Sequence, residues 1–469
     1  MRWRFDSKIS RRSFVPSADE GNPEESPKSP VYTQAKRVLV SLKPTMFSKV
    51  CLLVLSVSSA LGGDYFVSPQ GDDSAGGSKA APWRTVQHAA DLLKPGDTAF
   101  VLAGHYNEKV QIRVSGVAGK PVTLLAEGGV VISGKGVEGE SIFLIEDQSH
   151  VKLVGFEIRD NLKVSDGSGV RVQGGGSHIE IRSCRIHEIR GKDAMGITVY
   201  GTSSEKAISN LIIDGNEIYE CDPARSEALT LNGNVSDFQV TNNVVRDMNN
   251  IGIDFIGGED WVNKDPNKVV RNGVCRGNKV LRCRSNYGGG YAAGIYVDGG
   301  KDIVIEKNIV SECDLGIEIG AENKGTVTTG IEVKNNMIFG NDKAGIVFGG
   351  YERGAGRVVG CSFTGNTCYH NDRHKKEQNG ELWIQWASDN RITGNIFWCG
   401  EGVPLVQVDA NAGINVIDGN QYYSEAGEEK CDFNWKDNDV DGFAAWKRIS
   451  KQDSGSTFRQ PRIALPAIR

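Results

Sequence analysis

The chain has 469 residues, among them 58 glycines, 14 prolines and ten cysteines, with a formal net charge of −5. Residues 1–62 hold ten Lys/Arg against five Asp/Glu, which leaves the remainder at −10 and argues against a general nucleic-acid binder. No Cys-x-x-Cys pair occurs and the seven histidines are scattered, so no zinc site is expected.

In chain order, residues 1–45 are polar, contain Ser and Pro and lack periodicity. They are expected to be a disordered leader, or a mis-assigned start upstream of Met46. Residues 46–62 carry one lysine, an apolar run from Val50 to Val57 and then small residues, the pattern of a signal peptide and so of a secreted or periplasmic protein. The run is too short for a stable membrane span. A strand is expected near residue 64. A short helix follows, with Val86, Ala89, Ala90 and Leu93 at helical spacing and Pro95-Gly96 at its end. The segment TAFVLAGHY then alternates as a strand.

From there an asparagine recurs about every 30 residues: Asn216, Asn243, Asn278, Asn308, Asn336, Asn366, Asn395 and Asn420. Between them stand Gly-Ile strands: GITVYG, GIDFIG, GIYVDG, GIEIGA and GIVFGG. Such a period means stacked supersecondary units, and apolar/polar alternation makes them strands. The predicted fold is therefore all-β, a parallel β-helix over residues 63–435 with a short capping helix at each end. A repeat grows in one direction and uses this length as a single unit. Residues 436–469 are expected to form a C-terminal cap helix over 440–452, N-capped by Asp441, and a frayed tail from 453.

Stacked turns bring equivalent residues to about 4.8 Å, so the asparagines read as a structural ladder of amide hydrogen bonds, with Cys184 one rung earlier. A second column reads Cys221, Met248, Cys283, Cys313, Asn341, Asn371. Neighbouring Cys283 and Cys313 are within disulfide reach, and buried stacked thiols fit equally well.

The segment YFVSPQGDD…APWRTVQHAADLLKPGDTAFVLAGHY resembles the opening of secreted right-handed parallel β-helix proteins of the pectate-lyase-like superfamily. GIDFIGGE, GIYVDGGKDIVIEKN and GIEIGAEN are similar to its core repeats. The resemblance spans roughly residues 64–455 and implies a carbohydrate-active protein, with lyases, hydrolases, epimerases, esterases and members without known activity all represented.

With Ile, Val and Leu turned inward, alternate strand residues face out. One outward column reads Arg171, Thr198, Thr230, Asp254, Tyr296, Glu318, Val347, Trp383; the next includes Asn232, Asp298 and Gln385. Asp254, Asp298 and Glu318 thus fall on consecutive rungs, with Cα separations of roughly 8 Å between neighbours. That spacing suits a Ca²⁺ ion held by carboxylates or an acid and base around a glycosidic bond. The longest insertions, near 258–271, 284–292, 321–329, 350–357 and 371–380, flank these strands, and repeat insertions gather on a binding face. They bring Glu259, Lys301, Glu322, Tyr351 and Arg353 close in sequence. Together with Asn232 and Trp383, the residues Glu259, Glu322, Tyr351 and Arg353 are the candidate substrate contacts.

Three functions follow from these residues. The first is a lyase that β-eliminates a uronate glycan, with Asp254, Asp298 and Glu318 holding Ca²⁺ and Lys301 or Tyr296 as base; the superfamily resemblance favours it. The second is a glycoside hydrolase that uses paired carboxylates and no metal. The third is a glycan binder without catalysis. The closely spaced Asp-Asp calcium motif of familiar pectate lyases and the polygalacturonase signatures are both absent. A polysaccharide is the expected partner, and the protein is expected to be a monomer.

Overall fold

The computed structural model describes residues 62–464; the leader and nearly all of the expected signal peptide lie outside them. The described chain winds into a parallel β-solenoid of about 12 turns with two short helices. Strand after strand pairs in parallel with its counterpart one turn on; the hairpin Asp432–Trp435/Asn438–Asp441 is the antiparallel strand pair. The alternation of the sequence is what makes this possible. Inward residues such as Ile197, Leu231, Phe255, Val297 and Ile317 are fully buried, and aromatic rings from different faces stack in the interior, Phe238 on Phe255 at 5.1 Å and Phe348 on Phe363 at 4.3 Å.

The asparagine column forms the expected ladder. Each rung's backbone N–H and side-chain amide donate to the Oδ1 of the next asparagine, as in Asn216 to Asn243 at 2.9 and 3.0 Å, and Cys184 opens the series by donating to Asn216. Each amide also donates to a carbonyl one turn back, so every polar atom of the turn is satisfied away from water. Asn308→Ala would orphan Asn278 and Cys275 at once. At about 1–3 kcal/mol for each buried group left unpaired, a loss of roughly 3 kcal/mol or more is expected in chemical denaturation; a loss under about 1 kcal/mol would show that the ladder is dispensable.

The second column stacks too: Met248 pairs with Cys283, and Cys313 donates to Asn341, which donates to Asn371. The cysteines there are free and buried, so Cys283 and Cys313 are stacked thiols. This ladder ends on a residue the sequence did not flag. Asn371 donates its backbone N–H and side-chain amide to the fully buried carboxyl group of Glu381, at 2.9 and 2.6 Å.

Both ends are covered. The helix Val86–Leu92 is N-capped by the Thr85 hydroxyl and buries Val86, Ala89 and Ala90. The C-terminal helix spans Phe443–Ser450, shorter than the predicted 440–452, and Asp441 is not its N-cap. Asp441 instead ends the hairpin, and Gly442, at φ 88, turns the chain into the helix, a conformation that favours glycine. The expected frayed tail is also corrected in its first part. Thr457 and Phe458 pair onto Gln421 and Tyr422, and buried Asp453 accepts hydrogen bonds from Tyr422 and Trp446. No helix among the described residues is long and apolar enough to cross a membrane.

Candidate functional site

The ladder register settles which side chains share a face. Thr230, Asp254, Tyr296, Glu318, Val347 and Trp383 are successive partners in neighbouring strands, and Asp298 pairs with Gly320. Asp254 and Asp298 point away from the coil interior, yet they are only 2% and 5% exposed, because the inserted segments cover them. Asp254 Oδ1 accepts the Phe255 N–H at 2.7 Å, and Asp298 Oδ1 accepts the Glu322 N–H at 2.7 Å. Tyr296 runs across Gly320, where a Cβ would stand 2.7 Å from its hydroxyl, and donates to Glu322 at 3.3 Å. Asn232 donates to Glu259 at 3.2 Å.

A further acid joins them. Glu227 feels Glu259 and Glu322, and Asp254 in turn feels Glu227 and Asp298. The alternation rule missed Glu227 because the chain bends just before the strand. Ala228 and Leu229 are both fully buried, and at the matching position a Cβ on Gly252 would meet Val280 and Cys283 inside the coil. Two consecutive inward residues shift the phase, so an odd-numbered residue faces the even-numbered acids. Counting back from the paired strands, Glu227 falls in a column with Met195, Ile251, Ala293 and Leu315, where a carboxylate is out of place.

These six carboxylates have no basic counterpart. Elsewhere the coil pairs its surface charges, as Arg246 does with Glu217 and Arg282 with Asp247. Among the described residues no Lys, Arg or His forms an ion pair with Glu227, Asp254, Glu259, Asp298, Glu318 or Glu322, and no basic group is among the causes that shift them. Burial, followed by the like charge of Glu259, pushes Glu227 up to about 8. Burial and then Glu322 push Glu318 up to about 8. Asp254 and Asp298 rise well above the carboxylate range, first from burial and then from their acidic neighbours, although each backbone N–H works the other way. Glu259 is raised by burial against hydrogen bonds from Asn232 and Trp261. Glu322 is exposed on the rim, but loss of solvent around its carboxyl group still raises it, against the Tyr296 hydrogen bond.

The surrounding segments carry the large aromatic side chains that are exposed among the described residues: Trp261 at 63%, Tyr287 at 37% and Tyr351 at 48%. Trp261 stands edge-on to Tyr200 at 5.3 Å, and Arg225 lies 5.7 Å from the Tyr287 ring. Tyr287 feels the charge of Glu227 and Glu322, and Tyr351 that of Glu322 and Asp298, which places both rings beside the acids.

Three sequence-predicted residues stand differently. Lys301 opens the next strand, in ladder with Arg271 and Thr329 on the neighbouring face, and forms no ion pair with the acids. Tyr296 is packed among Ala293, Leu315, Ala344 and Val347, and burial drives its phenol well above the usual range, which disfavours a base. Trp383 packs against the same cluster and donates its indole N–H to Asp409 at 2.8 Å, so it supports the wall from behind. Arg353 is exposed two residues beyond Tyr351. Among the described residues no group of three or more acidic, His or Cys side chains is arranged so that it could hold a metal ion. Two cavities, of about 230 and 370 Å³, are lined by none of the six acids.

Residues 65–379, about two thirds of the chain, match the family model described as Pel9A-like, right handed beta helix region. The chain is 36% identical over 420 residues to the uncharacterized protein YwoF of Bacillus subtilis (strain 168), covering 85% of this chain and 88% of that one. A shorter stretch of 85 residues is 36% identical to pectate lyase PEL9 of Emericella nidulans, 17% of this chain and 21% of that enzyme. Among solved structures, the GH136 lacto-N-biosidase from Eubacterium ramulus superposes with a TM-score of 0.57 at 16% identity, over 76% of this chain and 67% of that one, a likeness of fold. By its sequence match and its winding, the chain belongs to the Pel9A-like right-handed β-helix family.

Proposed function

We propose that the protein cleaves glycosidic bonds of a polysaccharide held against the acidic face, by acid–base chemistry of its carboxyl groups. The observation that carries this reading is the coincidence of the exposed aromatic rings with a carboxylate cluster that lacks basic partners. Aromatic faces accept the apolar face of a sugar ring, and a few placed polar groups orient it. Glu318, pushed up to about 8 and without a hydrogen-bond donor to favour its ionised form, holds a proton at neutral pH and is the acid. Asp298, one rung away, is the carboxylate partner; it acts as base or nucleophile in its ionised form, which the Glu322 N–H favours and which burial and the acidic neighbours push to higher pH. Glu322 raises the proton affinity of both members of the pair, and Glu259 adds to that of Asp298.

A second reading has one observation in its favour, the match to a pectate lyase over 85 residues. In it the chain β-eliminates a uronate glycan, with Ca²⁺ on Asp254, Asp298 and Glu318 supplying the positive charge that acidifies the C5 proton. Lys301, the candidate base of this reading, opens the strand on the neighbouring face. Digestion of a polysaccharide panel separates the readings. Hydrolysis yields new reducing ends without near-ultraviolet absorbance and persists in EDTA. Elimination yields the absorbing 4,5-unsaturated uronate, and its calcium-dependent form stops in EDTA. Neither product would mean that the face only binds.

The aromatic wall gives its own test. Trp261→Ala is expected to raise KM roughly fivefold, the worth of about 1 kcal/mol of ring stacking, with kcat nearly unchanged. An unaltered KM would remove Trp261 from the substrate path.

A further inference from the structure

Among the buried side-chain atoms left without a partner on this face are Thr230 Oγ1, a hydroxyl that can donate as well as accept, and Asn232 Oδ1, which only accepts. Asn232 is 1% exposed, its amide nitrogen is committed to Glu259, and its buried Oδ1 has no partner. Glu259 accepts from its amide, and Glu227, Asp254, Asp298, Glu318 and Glu322 belong to the same face, with no ammonium or guanidinium among the described residues paired to any of the six. A buried acceptor without a donor and crowded carboxyl groups without counter-charge are both costly. The basic groups of the neighbouring segments are exposed or engaged: Arg225 lies over Tyr287, Arg353 is exposed, and Arg171, itself buried, is committed to Asp166 at 2.8 Å. What this surface lacks, a ligand must bring.

We infer that the ligand is a glycan bearing free amino groups, a polymer or oligomer of hexosamine units, whose ammonium groups supply the donors and positive charge missing around Asn232 Oδ1 and the six carboxylates. An ammonium offers three donors and no acceptor, so it complements Asn232 Oδ1 and carboxyl groups whose ionised form its charge favours. The exposed rings of Trp261 and Tyr287 add cation–π attraction to stacking. A uronate brings more acceptors and negative charge to the same place. The inference rests on the reading that this face binds a glycan, and it names the class.

Equilibrium binding to the Glu318→Gln protein tests it apart from turnover. Calorimetry would compare three oligosaccharides of equal length, built from glucosamine, N-acetylglucosamine and galacturonic acid. The glucosamine oligomer is expected to bind at least about tenfold more tightly than the N-acetylated one, an advantage that shrinks as salt rises, and the galacturonate oligomer should bind most weakly. In Glu259→Gln/Glu322→Gln that advantage should fall severalfold. Equal or tighter binding of the N-acetylated or galacturonate oligomer overturns the inference. So does binding of Ca²⁺ alone that erases the preference for the amine, since a metal would then be the missing cation. Preferential binding of the glucosamine oligomer without its cleavage by the unmutated protein supports the amine inference while removing the hydrolytic reading. Cleavage of a neutral glycan with no preference for amines does the reverse.

Discussion

Glu318→Gln is expected to lower kcat on a susceptible glycan by about 10²–10⁴-fold, the usual contribution of a general acid, while circular dichroism stays that of a folded coil. Glutamine keeps the shape of the side chain and removes the proton. The loss should depend on the leaving group. With an aryl glycoside whose phenol departs without protonation, Glu318→Gln should regain most of its rate, because the missing step is no longer needed. Asp298→Asn should be equally damaging on the polymer and show no such recovery, since a base or nucleophile is needed for any leaving group. Full activity in both variants would place the chemistry elsewhere on the coil. Recovery in Asp298→Asn instead would exchange the two roles.

The second large effect is on stability against pH. Glu381 is fully buried and pushed up to about 8 by burial, which outweighs the two hydrogen bonds from Asn371. In the unfolded chain a glutamate loses its proton near 4.5. Between these values the folded protein holds a proton that the unfolded chain has released. The stabilisation is therefore fully present below about 4.5, is lost as pH rises, and is gone above about 8. Glu227 and Glu318, each pushed up to about 8, act in the same direction. The protein is expected to melt at progressively lower temperature from pH 5 to pH 8. Glu381→Gln should flatten that slope, because it removes one group worth on the order of a few kcal/mol across the window. It should also lower stability at pH 5, since the Gln Nε2 meets the Asn371 amide donor. A melting temperature that rises from pH 5 to 8, or a slope untouched by the substitution, would contradict this account of Glu381.

Much of the architecture was legible because a coil repeats its environment at each turn. An inward position recurs with the same volume and an asparagine turn with the same hydrogen bonds, so eight asparagines and the alternating strands announce the winding and the outward column that runs from Arg171 to Trp383. Elements without a repeat were read less well. Asp441 has the composition of a helix cap, but the hairpin and Gly442 claim its backbone. The tail from 453 is polar in sequence, yet Asp453 is held by Tyr422 and Trp446, partners that only the closed end brings together.

The sequence by itself determined the fold class and the register, because strand alternation and turn chemistry are local and the period is short. It also brought Asp254, Asp298 and Glu318 onto consecutive rungs of the coil. The tertiary structure decided what surrounds them. Glu227 enters through a bend that breaks the alternation, Lys301 leaves for the next face, Tyr296 and Trp383 sink into an apolar cluster, and Trp261 and Tyr287 rise on insertions whose course no period dictates. The physical reason is that a solenoid fixes its interior by neighbour contacts one turn apart, whereas proton affinities and the shape of the wall depend on segments 20–100 residues apart in sequence that meet only once the coil is wound.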